Sequence, residues 1–353
     1  MNRKRFILWQ LWNGRKILSN NLGVIVEILK ESGNFASRSE KNTCPGGGIG
    51  RRAGLKHLWV HPRTGSTPVL GTNIVKSNNH FQIKTIDGQM AVDLFLPPTD
   101  GPHPVLVYCH GFKGFKQWGH IPFIHEYFAT GEYAVITFNH SHNGVVGESD
   151  DFQALDLFAV NTVSKEQNDL ESLGKWIREN GKELNLNVER ISWLGHSRGG
   201  ANVIVFAARC QDYVEKVIAW NPIPSYQYLF ESYNKSAWKE KRTVFTPNAR
   251  TQQQMPMDYS IWENLLAHEE EFDVLEAARS LGRPLLIVHG EADTVVPTAL
   301  SEPLYDACLH SLRMTVPKGD HTFGMKHPCN GMEDFTQELW IALDNTLSFL
   351  EEI

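Results

Sequence analysis

"ISWLGHSRGGANVIVFAA", residues 191–208, decides how the rest of the chain is read. An apolar run leads into Gly195-His196-Ser197-Arg198-Gly199, and small residues such as Gly200, Ala201, Ala207 and Ala208 follow at helical spacing. The pentapeptide fits G-x-S-x-G, and its context predicts a strand, a sharp turn and a helix, the setting of a nucleophile elbow. Glycine suits such a turn because strand and helix backbones approach too closely for side chains. A structural turn would tolerate the same residues. A serine hydroxyl alone is a weak nucleophile, so the chemical reading needs a base, an orienting acid and donors for a developing oxyanion.

Working outward, strand and helix signals alternate from about residue 79, which predicts an α/β fold with a mainly parallel sheet. Eight strands are expected: "HFQIKTI", "MAVDLFLP", "HPVLVYCH", "YAVITFN", "RISWLG", "EKVIAW", "RPLLIVHG" and "RMTVP". The first two flank Asp87-Gly88, a hairpin signal. "HPVLVYCH" is continuously apolar, as a strand covered on both faces must be. Between the strands, "SKEQNDLESLGKWIREN" sets Leu170, Leu173, Trp176 and Ile177 on one helical face, and Phe335, Leu339, Leu343, Leu347 and Leu350 repeat the pattern near the end. The stretch at about 222–281, between strands six and seven, is too long for an ordinary connection and predicts an inserted cap.

Residues 79–353, with their GHSRGG elbow, resemble the α/β-hydrolases, within them the dienelactone-hydrolase and prolyl-oligopeptidase-like serine hydrolases. The resemblance implies a triad in the order Ser, Asp or Glu, His. "LLIVHGEADTVVP" sets Asp293 just past a strand, and "MTVPKGDHTF" sets His321 just past the next, where the acid and base are implied. Asp293 could instead close an Asx turn, with Asp320 as the acid. In "YCHGFKGFKQW", the resemblance implies that the backbone N–H of Phe112 supplies one oxyanion donor and that of Arg198 the other. A strand-ending turn would also accommodate His110-Gly111. The expected activity is carboxylic-ester hydrolysis through an acyl-enzyme, with small-molecule esters as substrates. An oligopeptidase-like or aminoacyl-peptidase activity is the enzymatic alternative, and a non-catalytic binding protein on the same scaffold is the alternative of another class.

Other signals are weaker. Gly48-Ile49-Gly50-Arg51-Arg52-Ala53 matches G-x-G-x-x-A but follows no strand, so no dinucleotide cofactor is expected. His140 and His142 in "FNHSHNG" lack a further ligand at metal spacing and read as a loop lining the pocket, so no metal is expected. "NARTQQQMPMDYSIWENL" reads equally as acyl-pocket lining or as cap core. Five cysteines without C-x-x-C spacing fit a reducing compartment, and the interrupted apolar start "MNRKRFILWQLWNGRKIL" lacks a small-residue cleavage site; a cytoplasmic location is expected. No apolar run reaches bilayer-spanning length, so no membrane association is expected.

Charge divides the chain. Residues 1–78 carry 13 Lys and Arg against 3 Asp and Glu, leaving 21 against 37 for the remainder. A basic arm of this kind could bind nucleic acid, although none is expected for the folded domain. Alternatively, "CPGGGIGRRAGLKHLWVHPRTGSTPVLGT", residues 44–72, can be read back through the genetic code as the D-arm and T-loop of a transfer-RNA gene, which makes residues 1–78 an unstructured arm from a misplaced translation start. The sequence leaves the oligomeric state open.

Overall fold

The first hairpin is set by its turn. In the computed structural model, which describes residues 76–248 and 251–352, β1 (Lys76–Lys84) and β2 (Gln89–Leu96) run antiparallel with Lys84 opposite Gln89. The backbone N–H groups of Asp87 and Gly88 donate to Thr85 Oγ1, and Thr85 N–H donates to the Gly88 carbonyl at 2.9 Å. The turn thus satisfies its own polar groups.

Six further strands complete the main sheet: β3 (His103–Cys109), β4 (Ala134–Phe138), β5 (Leu186–His196), β6 (Lys216–Trp220), β9 (Leu285–Gly290) and β10 (Ser311–Val316). Their order is β1-β2-β4-β3-β5-β6-β9-β10, antiparallel from β1 to β4 and parallel from there to β10. The eight strands expected from the sequence are these eight. Every residue of β4, β6 and β9 is buried, as parallel strands covered on both faces require.

Helices cover the sheet. In chain order they are α1 (Ile124–Phe128), α2 (Leu155–Ala159), α3 (Val163–Asn180), α4 (Arg198–Arg209), α5 (Lys235–Lys241), α6 (Ser260–Ala267), α7 (Val274–Ser280), α8 (Glu302–Ala307) and α9 (Gln337–Glu351). Thr162 caps α3 and Thr336 caps α9 by accepting the N–H three residues on. Leu170, Leu173 and Ile177 of α3 are fully buried, while Trp176, at the rim, packs on Phe81 of β1. α3, α4, α7 and α8 pack one against the next. On α9, Trp340 packs against Tyr127 of α1.

Between β6 and β9 the chain forms α5, a two-stranded antiparallel hairpin of β7 (Thr243–Asn248) and β8 (Gln253–Asp258), α6 and α7. Met255, Met257, Ile261 and Leu265 are buried, so this part of "QQQMPMDYSIWENL" is cap core; Trp262 remains partly exposed beside Phe230. The last helix of the stretch, α7, packs on α4 and α8 as an ordinary layer helix. Residues 1–75, including the glycine motif at 48–53 and the stretch read as transfer-RNA-derived, lie outside the described residues; of the basic segment expected at 1–78, residues 76–78 open β1. Among the described residues no helix is long and apolar enough to cross a membrane.

Candidate active site

The C-terminal ends of β3, β5, β6, β9 and β10 converge on one rim of the sheet, where open α/β sheets carry their ligands. Ser197 lies between β5 and α4 with φ 58° and ψ −119°, a strained conformation for a non-glycine residue. A Cβ at Gly199 would overlap the Cys109 carbonyl at the end of β3, which explains the glycine there. This is the strand-turn-helix that residues 191–208 predict.

Asp293, after β9, and His321, after β10, reach the serine in one chain of hydrogen bonds. His321 Nδ1 lies 2.8 Å from Asp293 Oδ2, and His321 Nε2 lies 3.0 Å from Ser197 Oγ. Asp293 Oδ1 accepts the N–H groups of Val295 and Val296 at 2.8 and 2.9 Å, and His289 Nε2 stands 3.5 Å from Oδ2. Burial raises the Asp293 pKa, but the hydrogen bonds from His289 and His321 outweigh it and hold the carboxyl well below the usual carboxylate range. A carboxylate accepts only, so Nδ1 of His321 carries the proton, and Nε2 of the neutral ring is left to accept from the serine hydroxyl. Asp320 turns away: its Oδ1 accepts Thr322 N–H and Gly324 N–H within its own loop.

The loop after β3 brings Phe112 beside this group. A Cβ at Gly111 would stand 2.9 Å from the His196 carbonyl and 3.6 Å from the Arg198 nitrogen, so the loop and the elbow touch. Neither the Phe112 nor the Arg198 backbone N–H donates a hydrogen bond among the described residues. The Phe112 ring lies between Phe158 of α2 and Phe230 of the cap, at 5.6 and 6.4 Å. The outer surface is tied across: Lys113 Nζ donates to the Pro247 carbonyl of β7, and Tyr228 Oη donates to the Val295 carbonyl in the Asp293 loop.

Beneath the loop and the elbow lies a buried polar network that the motifs do not announce. Arg198 Nε donates to Glu166 Oε2 at 2.8 Å, and Asn202 and Asn161 donate to the same carboxylate. His140 Nδ1 donates to Asp169 Oδ2 at 3.2 Å, and His140 N–H donates to His110 Nε2. Burial opposes the charged His140, but the Glu166 charge and the Asp169 hydrogen bond outweigh it and raise its pKa to about 10. His110, pushed down to about 3 by burial and by His140, stays neutral. His140 is therefore one half of an interior ion pair, and His142 is buried against Ser141 Oγ. The missed signal is in α3, where Glu166 and Asp169 stand on the apolar stripe with Leu170 and Leu173.

One cluster among the described residues offers three ligand atoms to a metal: His80, Asp93 and Glu148. Lys116 Nζ already lies 2.5 Å from Asp93 Oδ2 and 2.9 Å from Glu148, so a buried ammonium supplies the cation there.

The BD-FAE family model matches residues 92–308, from β2 to the end of α8, a span that holds the turn at Ser197, the loop after β3 and Asp293. The chain belongs to the BD-FAE family. It is thus an α/β-hydrolase enzyme of esterase type. The chain is 27% identical over 250 residues to an uncharacterised 31.7 kDa Escherichia coli protein from the traX-finO intergenic region, covering 62% of this chain and 82% of that one. It is 25% identical over 205 residues to the candidate esterase YitV of Bacillus subtilis (strain 168), covering 58% and 73%. The fold is similar to Est1E from Butyrivibrio proteoclasticus with ferulic acid bound: TM-score 0.58 at 18% identity, covering 76% of this chain and 97% of that one.

Proposed function

We propose that the protein hydrolyses carboxylic esters through a Ser197–His321–Asp293 triad and an acyl-enzyme intermediate. The observation that carries this reading is the continuous chain Asp293 Oδ2, His321 Nδ1, His321 Nε2, Ser197 Oγ, with contacts of 2.8 and 3.0 Å at its two ends. His321 Nε2 takes the hydroxyl proton as Oγ attacks the ester carbonyl. Asp293 keeps the imidazole in the required tautomer and stabilises its charged form. The carbonyl oxygen becomes an oxyanion facing the Phe112 and Arg198 amides, which no acceptor among the described residues occupies. As the tetrahedral adduct collapses, Nε2–H protonates the departing alkoxide. Water, deprotonated by the same Nε2, then attacks the acyl group and releases the acid and the serine.

The partly exposed Phe112 ring, backed by Phe158 and Phe230, supports an apolar acyl group lying beside the nucleophile. A fluorophosphonate probe tests the reading. It is expected to label the native protein and to fail with Ser197→Ala, which also loses ester turnover; persistent labelling or turnover in that variant would overturn the assignment.

A further inference from the structure

The base sits on a loop, and catalysis needs its imidazole held between two partners at once. Two side chains, the half-buried His196 and the buried Asn221, fix the main chain of that residue. The His321 carbonyl accepts His196 Nε2–H at 2.6 Å and Asn221 Nδ2–H at 2.9 Å. His196 serves as a neutral donor, since burial and the neighbouring His321 push its pKa down to about 3. Asn221 does more. Its Oδ1 accepts the N–H of Gly290, the last residue of β9 before the Asp293 loop, at 2.8 Å, and its own N–H donates to the Val288 carbonyl at 2.9 Å. Nδ2 also stands 3.4 Å from the Asp320 carbonyl. One amide side chain at the end of β6 therefore bridges the loop carrying Asp293 and the loop carrying His321.

Its backbone makes the point sharper. Asn221 is fully buried and has φ 45°, in the left-handed region where glycine is unstrained and asparagine is only tolerated. The turn alone would be served as well by glycine. The side chain has four hydrogen-bonding capacities, and the three contacts above engage both its donor and its acceptor atoms across two catalytic loops.

We propose that Asn221 is a positioning residue for the base, setting the His321 main chain relative to the Asp293 loop so that the imidazole reaches both Ser197 and Asp293. This inference rests on the triad reading above. Displacing a reacting group by about 1 Å costs on the order of 100-fold in rate, so a modest loop shift is enough.

Asn221→Gly separates the roles, because it relieves the backbone strain while removing the bridge. The full-length variant is expected to keep the native melting temperature within a few degrees, to keep KM within about twofold, and to lose about 10- to 100-fold in kcat. Fluorophosphonate labelling of Ser197 should slow by a similar factor, since it needs the same base. Asn221→Asp keeps the acceptor for Gly290 N–H but loses both donors, and it should show the same kcat loss. Native kcat and labelling rate in Asn221→Gly would overturn the inference, as would a rate loss that is matched by global unfolding in both variants. Ser197→Ala assayed alongside keeps the two ideas apart: turnover there defeats the triad, whereas an inactive Ser197→Ala beside a fully active Asn221→Gly defeats only the role of Asn221.

Discussion

Two acidic residues compete at the level of single side chains, and their surroundings differ. Asp293 receives two backbone N–H groups and the His321 imidazole, whereas Asp320 spends Oδ1 on its own turn. Asp293→Asn is expected to fold normally and to lower kcat by about four orders of magnitude, because an amide N–H facing Nδ1 favours the wrong tautomer. Asp320→Asn should stay within about tenfold of native. Steady-state kinetics on both variants decides the matter, and the reverse ranking would move the acid to Asp320. The sequence could place Ser197, Asp293 and His321 at strand ends, since each follows an apolar run with turn chemistry attached. It could not reveal Asn221, whose partners lie on other elements and leave no local pattern, whereas Glu166 and Asp169 show only as acidic residues on the apolar stripe of α3. His120 illustrates the same limit: it is buried among Tyr108, Trp118, Trp220 and Phe335, with neither ring nitrogen partnered among the described residues. Burial lowers its pKa to about 3, so the unfolded chain takes up a proton near pH 6.5 that the native state refuses. Stability linked to this group is complete above pH 6.5 and is lost as pH falls toward 3. His120→Phe should hold or raise the melting temperature at pH 7 and make its decline between pH 6.5 and 4.5 shallower; an unchanged slope would show that His120 titrates normally.

Elements were legible where periodicity was strong and hidden where it was not. The eight sheet strands are apolar runs, and α3 and α9 repeat apolar residues at helical spacing, so buried area and pattern coincide. The hairpin β7–β8 was missed because "TVFTPN" and "QQMPMD" each contain a proline and little apolar alternation. Tertiary contacts hold it instead: Met255 and Met257 turn inward, and Trp238 Nε1 of α5 donates to the Met257 carbonyl at 2.9 Å. Trp238→Phe keeps most of the apolar packing but removes one of the hydrogen bonds to that carbonyl, a local cost of about 0.5–1.5 kcal/mol. Amide exchange in β7 and β8 should therefore quicken by about 2- to 12-fold while β5 and β9 keep their protection. Because the hairpin is tied to the loop after β3 through Lys113 and Pro247, discrimination among long acyl esters should weaken as well. Uniform loss of protection across the main sheet would instead make the hairpin integral to global stability.

At the scale of the whole chain, charge marks a division that folding can test. The acidic material forms the sheet and its helices from Lys76 onward, and the described strand β1 already begins there. β1 pairs with β2 along its length, buries Ile83, packs Phe81 on Trp176 of α3 with ring centroids 4.9 Å apart, and sets His80 Nδ1 2.7 Å from Asp93. Its loss would leave β2 as a long edge with unpaired N–H and C=O groups, a template for pairing between molecules. We therefore propose that the hydrolase domain is self-sufficient from β1 and that residues 1–75 contribute nothing to its chemistry. A chain starting at Val75 should match the full-length protein in melting temperature and in kcat for a short-chain ester. A chain starting at Met90 should lack β1, lose about 2–3 kcal/mol from the Ile83 side chain alone before any pairing is counted, and aggregate. Circular dichroism melts, light scattering and ester kinetics on the three chains make the comparison. Loss of activity in the chain from Val75 would assign the basic segment a part in the enzyme, and a stable, active chain from Met90 would show that the first hairpin is dispensable.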